Sequence, residues 1–131
     1  MNTFPRLLGC ERGATALEFA FLAPVFFAMI FGVIDLGRVA WTLGSLHYAA
    51  ETAARYASLN HDSSGNPPAA STVQNYAQNT YYGESLGSNP FTYTYTATGC
   101  GNIVTAAYNY SLSIPFAGTW TIPLGATACF P

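Results

Sequence analysis

The chain has 131 residues, half of them hydrophobic and only 8% charged, with a net charge of -2. An ordinary soluble domain is about a quarter charged, so this balance favours a membrane or assembly-bound protein, and the length excludes a large multi-domain enzyme. The four basic residues (Arg6, Arg12, Arg38 and Arg55) all lie in the first 55 positions and there is no Lys, which excludes the basic face that nucleic-acid binding needs.

Residues Met1 to Gly13 read as a short polar leader with Arg6, Glu11 and Arg12 and no apolar run. Ala14 to Ile34 is apolar for 21 residues apart from Thr15 and Glu18, the length of a membrane-spanning helix. Pro24 and Gly32 inside it are better tolerated in membrane helices than in soluble ones, and a kink is expected near Pro24. Ala16 with Ala20, and Ala28 with Gly32, are small pairs four apart that permit close helix approach in lipid, or that merely fill a helix. From Asp35 to Leu59 an alanine-rich amphipathic pattern (Leu36, Val39, Ala40, Leu43, Leu46, Ala50, Ala53, Ala54, Ala57) extends the same helix, with Asp35–Arg38 and Glu51–Arg55 as supporting pairs.

The helix should stop at Asn60, where turn formers and Pro67–Pro68 follow. Ala69 to Tyr82 is predicted as a short helix capped by Ser71 or Thr72, then loop to Pro90. Phe91 to Thr98 alternates aromatic with Thr, the period of a half-buried strand, and Ile103 to Ile114 continues the theme after a Gly-Cys-Gly turn. A break at Pro115 to Gly118 leads to one or two short strands between Thr119 and Phe130, interrupted by Pro123 and Gly125. The fold class is therefore α+β: a long N-terminal transmembrane and amphipathic helix, then a small antiparallel sheet. The domains divide as 1–13 leader, 14–34 span, 35–59 periplasmic extension, 60–90 loop with a short helix, and 91–131 β tail.

The segment that carries most information is Glu11-Arg12-Gly13-Ala14-Thr15-Ala16-Leu17-Glu18-Phe19. A basic leader ends in Gly, a small residue follows, and a lone acid with an aromatic after it sits near the start of an apolar helix. This resembles the processing site of type IV pilin-like precursors, and the wider run Arg12 to Trp41 resembles the N-terminal region of TadE-like proteins, minor pseudopilins of the tight-adherence (Tad or Flp) pilus machinery, more weakly to Arg55. The resemblance implies that a prepilin peptidase cuts between Gly13 and Ala14. It implies partners among other pilins, pseudopilins and the Tad assembly machinery of the bacterial inner membrane, and a role in assembling a pilus used for adherence.

The chemistry of Glu18 fits that implication. An acid at mid-membrane costs on the order of 2.5 to 3.5 kcal/mol on insertion scales, so a partner is expected. Cleavage would create one, an α-amino group with a typical pKa near about 8, and Glu18 beside Phe19 would pair with the amine of a neighbouring subunit and fix its register. The plain alternative is a Glu18 close enough to the membrane edge to reach headgroups by itself. An uncleaved signal anchor, or a secretory peptide removed after the apolar run, is the alternative to processing. Arg6 and Arg12 on the leader side against Arg38 beyond the span point the N-terminus to the cytoplasm and the C-terminal region to the periplasm, single-pass in membrane lipid.

Given that topology, Cys10 leaves with the leader or stays in a reducing compartment, and Cys100 and Cys129 are left as a pair in an oxidising one, where a disulfide between them is expected, with free thiols as the alternative. Neither His47 nor His61 stands at ligand spacing to either Cys, so no metal or other cofactor is expected. No nucleophile elbow, acid pair or phosphate loop supports an enzyme. The competing functional class is a single-pass envelope protein whose β tail binds a ligand or partner with no pilus role.

Overall fold

The computed structural model describes residues 11–114 and 118–131, with side chains from Thr15 onward. The leader up to Cys10 and the break at residues 115–117 lie outside the described residues. Helix α1 spans Glu11–Leu59, α2 spans Ala70–Thr80, and three strands follow, β1 (Phe91–Thr96), β2 (Gly101–Ile114) and β3 (Gly118–Phe130). The chain divides into two compact units, Met1–Gly37 and Arg38–Pro131. The expected α+β architecture, a long apolar helix ahead of a small antiparallel sheet, is what the structure shows.

In the first unit the described residues belong to α1, which continues through Pro24. Its large apolar side chains, from Leu17 and Phe19 to Val33 and Ile34, are exposed on every side. A helix that is apolar all round and unburied suits hydrocarbon rather than water. Among the described residues α1 is the one helix long and apolar enough to cross a membrane.

The second unit has two layers. The later part of α1 buries Leu46, Ala49, Ala50, Ala53, Ala54 and Ala57 completely, and α2 adds Val73 and Ala77. These positions recur at helical spacing and make one core with the inner face of the sheet. The sheet order is β1-β2-β3, antiparallel throughout. Registered rows run Phe91–Ala106–Ala126 and Tyr93–Val104–Ala128 across the inner face. On the outer face the corresponding row is Thr92–Thr105–Thr127, all exposed. Alternate side chains thus separate core from water as the period of two requires.

Three local expectations change. No side chain caps α2: its N-cap is Ala69, whose carbonyl accepts from the Thr72 and Val73 N–H groups, so neither Ser71 nor Thr72 has that role. Arg38 pairs with Glu84 (3.2 Å) in place of Asp35, and the Arg55 guanidinium lies 5.0 Å from the centre of the Phe130 ring in place of a pairing with Glu51. Finally, β3 is one strand of 13 residues that passes through Pro123 and Gly125. The Ala107 N–H donates to the Pro90 carbonyl (3.2 Å), on the β1 side. By the alternation of an antiparallel ladder, odd members of β2 bond toward β1 and even members toward β3. Even members of β3 therefore face β2, and Pro123, paired in register with Asn109, turns its missing N–H to the open edge. Proline is tolerated there because no ladder bond is lost.

At the other end of β2, Gly101 has a φ of +87°, and a Cβ there would fall 2.9 Å from the Phe130 carbonyl oxygen. Only glycine suits a turn with that conformation and so close a backbone approach.

Candidate functional site

The first candidate site is the start of α1. The helix already includes Glu11 to Ala14, so the Gly13–Ala14 peptide bond lies within its first described turn. Glycine lowers helix stability by about 1 kcal/mol relative to alanine, which makes this the weakest link of that turn. Glu18 stands four residues after Ala14, one helical turn or about 6 Å along the axis, on the same face. Glu18 and Phe19 are both exposed among exposed Leu17, Phe21 and Leu22. An amine created at Ala14 would therefore have a carboxylate one turn away on its own helix, and each helix would offer the same pair of opposite charges to a neighbour.

The second site lies on the later part of α1, where the loop after α2 is latched to it. The Tyr82 N–H donates to Ser45 Oγ (2.8 Å), Trp41 Nε1 donates to the Tyr82 carbonyl (3.3 Å), and Arg38 pairs with Glu84. The Tyr48 and Tyr82 rings stand 6.3 Å apart. Trp41, Gly44, Ser45, Tyr48 and Tyr82 line a recess of about 510 Å³, with Trp41 and Tyr82 exposed by 67% and 69%. Sequence reasoning missed this latch. Its one signal was Tyr81-Tyr82-Gly83-Glu84, two aromatics and an acid in an otherwise polar loop.

The β tail is held by a disulfide and a buried polar pair. Cys100 and Cys129 are bridged, their Cα atoms 5.9 Å apart, tying the turn after β1 to the last strand. The Tyr93 hydroxyl donates to Asn102 Oδ1 (2.7 Å), and Asn102 Nδ2 donates to the Phe130 carbonyl (3.4 Å), so a side chain 1% exposed touches all three strands. Burial pushes the Tyr93 and Tyr81 phenols above their ordinary range. In the loop after α1, the Asn66 side chain and the Asn66 and Ser64 N–H groups donate to the Asp62 carboxylate and hold it below the usual carboxylate range. His47 is exposed on α1, and the His61 ring meets Tyr95 edge-on at 5.6 Å. Among the described residues no three His, Cys, Asp or Glu side chains gather as metal ligands.

Residues 13–55 match the family model of the TadE-like proteins. The match opens at the Gly of the candidate cleavage site, takes in Glu18, Phe19 and the whole apolar stretch, and closes at Arg55, where α1 is already packed on the sheet. It covers about a third of the chain, and all of it is helix. The TadE-like segment therefore includes the membrane-compatible helix and most of the latch surface, while the β tail lies beyond it. No curated protein and no solved structure matches the chain.

Proposed function

We propose that this protein is a membrane-anchored, TadE-like pseudopilin with a structural rather than catalytic role. A prepilin peptidase removes its leader, and the mature chain takes part in building a Tad-type pilus for adherence. The observation that carries this reading is a single carboxylate, Glu18, one turn from the Gly13–Ala14 bond on a helix whose apolar side chains are otherwise exposed, within a segment that matches the TadE-like family. A helix with only lipid to face would gain nothing from an acid there, whereas a helix that packs on copies or relatives of itself gains an axial register from pairing Glu18 with a neighbour's new amine. Arg6 and Arg12 favour a cytoplasmic leader and a periplasmic tail in the inner membrane.

The test has two parts. Terminal sequencing of the membrane-inserted protein should give Ala14 as the first residue, and Gly13→Val should leave Met1 or the full leader in place. A mature protein that keeps its leader refutes processing. Glu18→Gln should insert normally, be cleaved normally and lower piliation at least tenfold; unchanged piliation refutes the assembly role of Glu18 while leaving processing intact.

A further inference from the structure

The second unit keeps two large rings in the open beside each other. Trp41 and Tyr82 are exposed, although Tyr81, one residue earlier, packs against the core with its ring centre 6.5 Å from that of Phe91. The exposure is held in place. The Tyr82 N–H donates to Ser45 Oγ, the Tyr82 carbonyl accepts from Trp41 Nε1, and Arg38 pairs with Glu84 beside them. These bonds turn the directional groups of the latch inward and leave ring faces around the recess that Tyr48 also lines. A surface of ring faces with phenol tips, its cation and anion already paired, suits the layer between hydrocarbon and water, where Trp and Tyr concentrate.

Chain connectivity confines this surface. Arg38 opens the second unit and is the fourth residue after Ile34, the end of the apolar stretch. Four residues reach at most about 14 Å even when fully extended, so an anchored chain keeps Arg38 close to the bilayer at any angle between the two units. Arg38, Trp41, Tyr82 and Glu84 make up this tethered end of the second unit. His61, Asp62 and Tyr95 lie at the opposite end, because α1 rises about 30 Å between Arg38 and Leu59. Charge is sorted accordingly: Asp62 stands at the far end, and the charges at the tethered end cancel.

We propose that the Trp41–Tyr82 face is a lipid-docking surface that holds the second unit against the headgroup layer of the bilayer its own helix enters, an inference that rests on the membrane-anchored reading above. The rings then lie among headgroups rather than in bulk water, and the half-exposed Arg38–Glu84 pair presents opposite charges side by side to a zwitterionic surface. Because the latch fixes Tyr82 on α1, docking engages one rigid face and not a loose loop.

The unmodified full chain is reconstituted in phosphatidylcholine vesicles, insertion is scored by flotation after an alkaline wash, and hydroxyl-radical oxidation is read residue by residue by mass spectrometry. Mapping the Cys100–Cys129 bridge in the same digest confirms the fold. Tyr82 is 69% exposed and Tyr95 39%, so Tyr82 is oxidised more wherever water reaches both. The expected result in vesicles is the reverse, with Tyr95 at least about twice as oxidised as Tyr82. In Trp120→Phe, which leaves Trp41 as the sole tryptophan, lipids brominated near the headgroup end of the chain should quench its fluorescence at least about twofold more than lipids brominated near the chain terminus. A chain that floats but is oxidised more at Tyr82 than at Tyr95, or whose Trp41 is quenched by aqueous iodide and not by lipid, overturns the docking surface and leaves the anchor standing. Protection of Tyr82 that appears only at high protein-to-lipid ratio makes a second copy the occupant and also overturns it, and a chain that does not float removes anchor and surface together. The oxidation order stands on its own if the Trp120 variant fails to fold.

Discussion

Replacing both Cys100 and Cys129 with Ala tests what stabilises an almost uncharged tail. The bridge closes a loop with a sequence separation of 29. In the chain-entropy relation a loop of that size removes about 3.6 kcal/mol of conformational freedom from the unfolded state. Cys100 is exposed and Cys129 only half-buried, so the lost sulfur packing adds little. With an m value of about 1 to 3 kcal/mol/M, the urea midpoint of the Arg38–Pro131 unit should fall by about 1.2 to 3.6 M. The assay is reversible urea unfolding of the full chain in non-ionic micelles, followed by near-ultraviolet circular dichroism of the tyrosines packed on the sheet. Because the two cysteines flank the β2–β3 hairpin, the result also reports on the unfolded ensemble. A loss below about 1 kcal/mol refutes the entropic reasoning: it would mean that the hairpin persists after unfolding and holds the ends together without the bridge.

Four further substitutions test the packing and the titrating groups. Tyr93→Phe leaves Asn102 Oδ1 buried without its donor (2.7 Å in the native chain) and should cost about 1 to 3 kcal/mol in the same urea assay. Burial raises the Tyr93 pKa above 10.0, so its contribution to stability is fully present below pH 10 and is lost as the pH rises through the raised value; alkaline unfolding that tracks tyrosinate absorbance should be blunted in Tyr93→Phe. Ala53→Leu forces three carbons into a fully buried site and should destabilise by about 1 to 3 kcal/mol, whereas Ala40→Leu on the exposed face should stay within about 0.5 kcal/mol. Asp62 has its pKa lowered from 3.8 by hydrogen bonds from Asn66 and Ser64, so its stabilisation is present above pH 3.8 and disappears as the pH falls through the lowered value; amide exchange at Ser64 and Asn66 should accelerate in that acid range, and should show no such step in Asp62→Asn.

Much of this fold follows from short-range pattern. The end of α1 at Leu59 follows from Asn60 and the Pro67–Pro68 pair, and the strands from the alternation of Tyr with Thr. The cysteine pair was legible only through the family resemblance, because the compartment and leader removal that it implies would turn three cysteines into two. What escaped sequence reading was set by parity and by long-range contact. Whether Pro123 breaks a strand depends on which way its nitrogen faces, and that is fixed by the pairing of Ala107 with Pro90, not by any local signal. Arg38 and Arg55 have acids at helical spacing, yet their partners, Glu84 and Phe130, lie 46 and 75 positions away. The Trp41–Tyr82 latch has the same character. At the candidate processing site the residues were legible and the helical context was not: Gly13 read as the end of a polar leader, and the structure places it inside α1.

The shortage of charge and the open edge of β3 are linked. Alanines on α1 let the helix lie close to the sheet, and Ala106, Ala126 and Ala128 keep the sheet's own surface low, so the second unit is held by close packing, one disulfide and the Tyr93–Asn102 pair rather than by ion pairs. The described charges beyond Gly37 lie on the helices and loops: Arg38 meets Glu84 across the latch, Glu51 is exposed on α1, Arg55 covers the Phe130 ring, and Asp62 closes the loop after α1. None is left for the sheet surface or its outer strand. In a soluble monomer such an edge is an aggregation liability that selection removes with a single lysine.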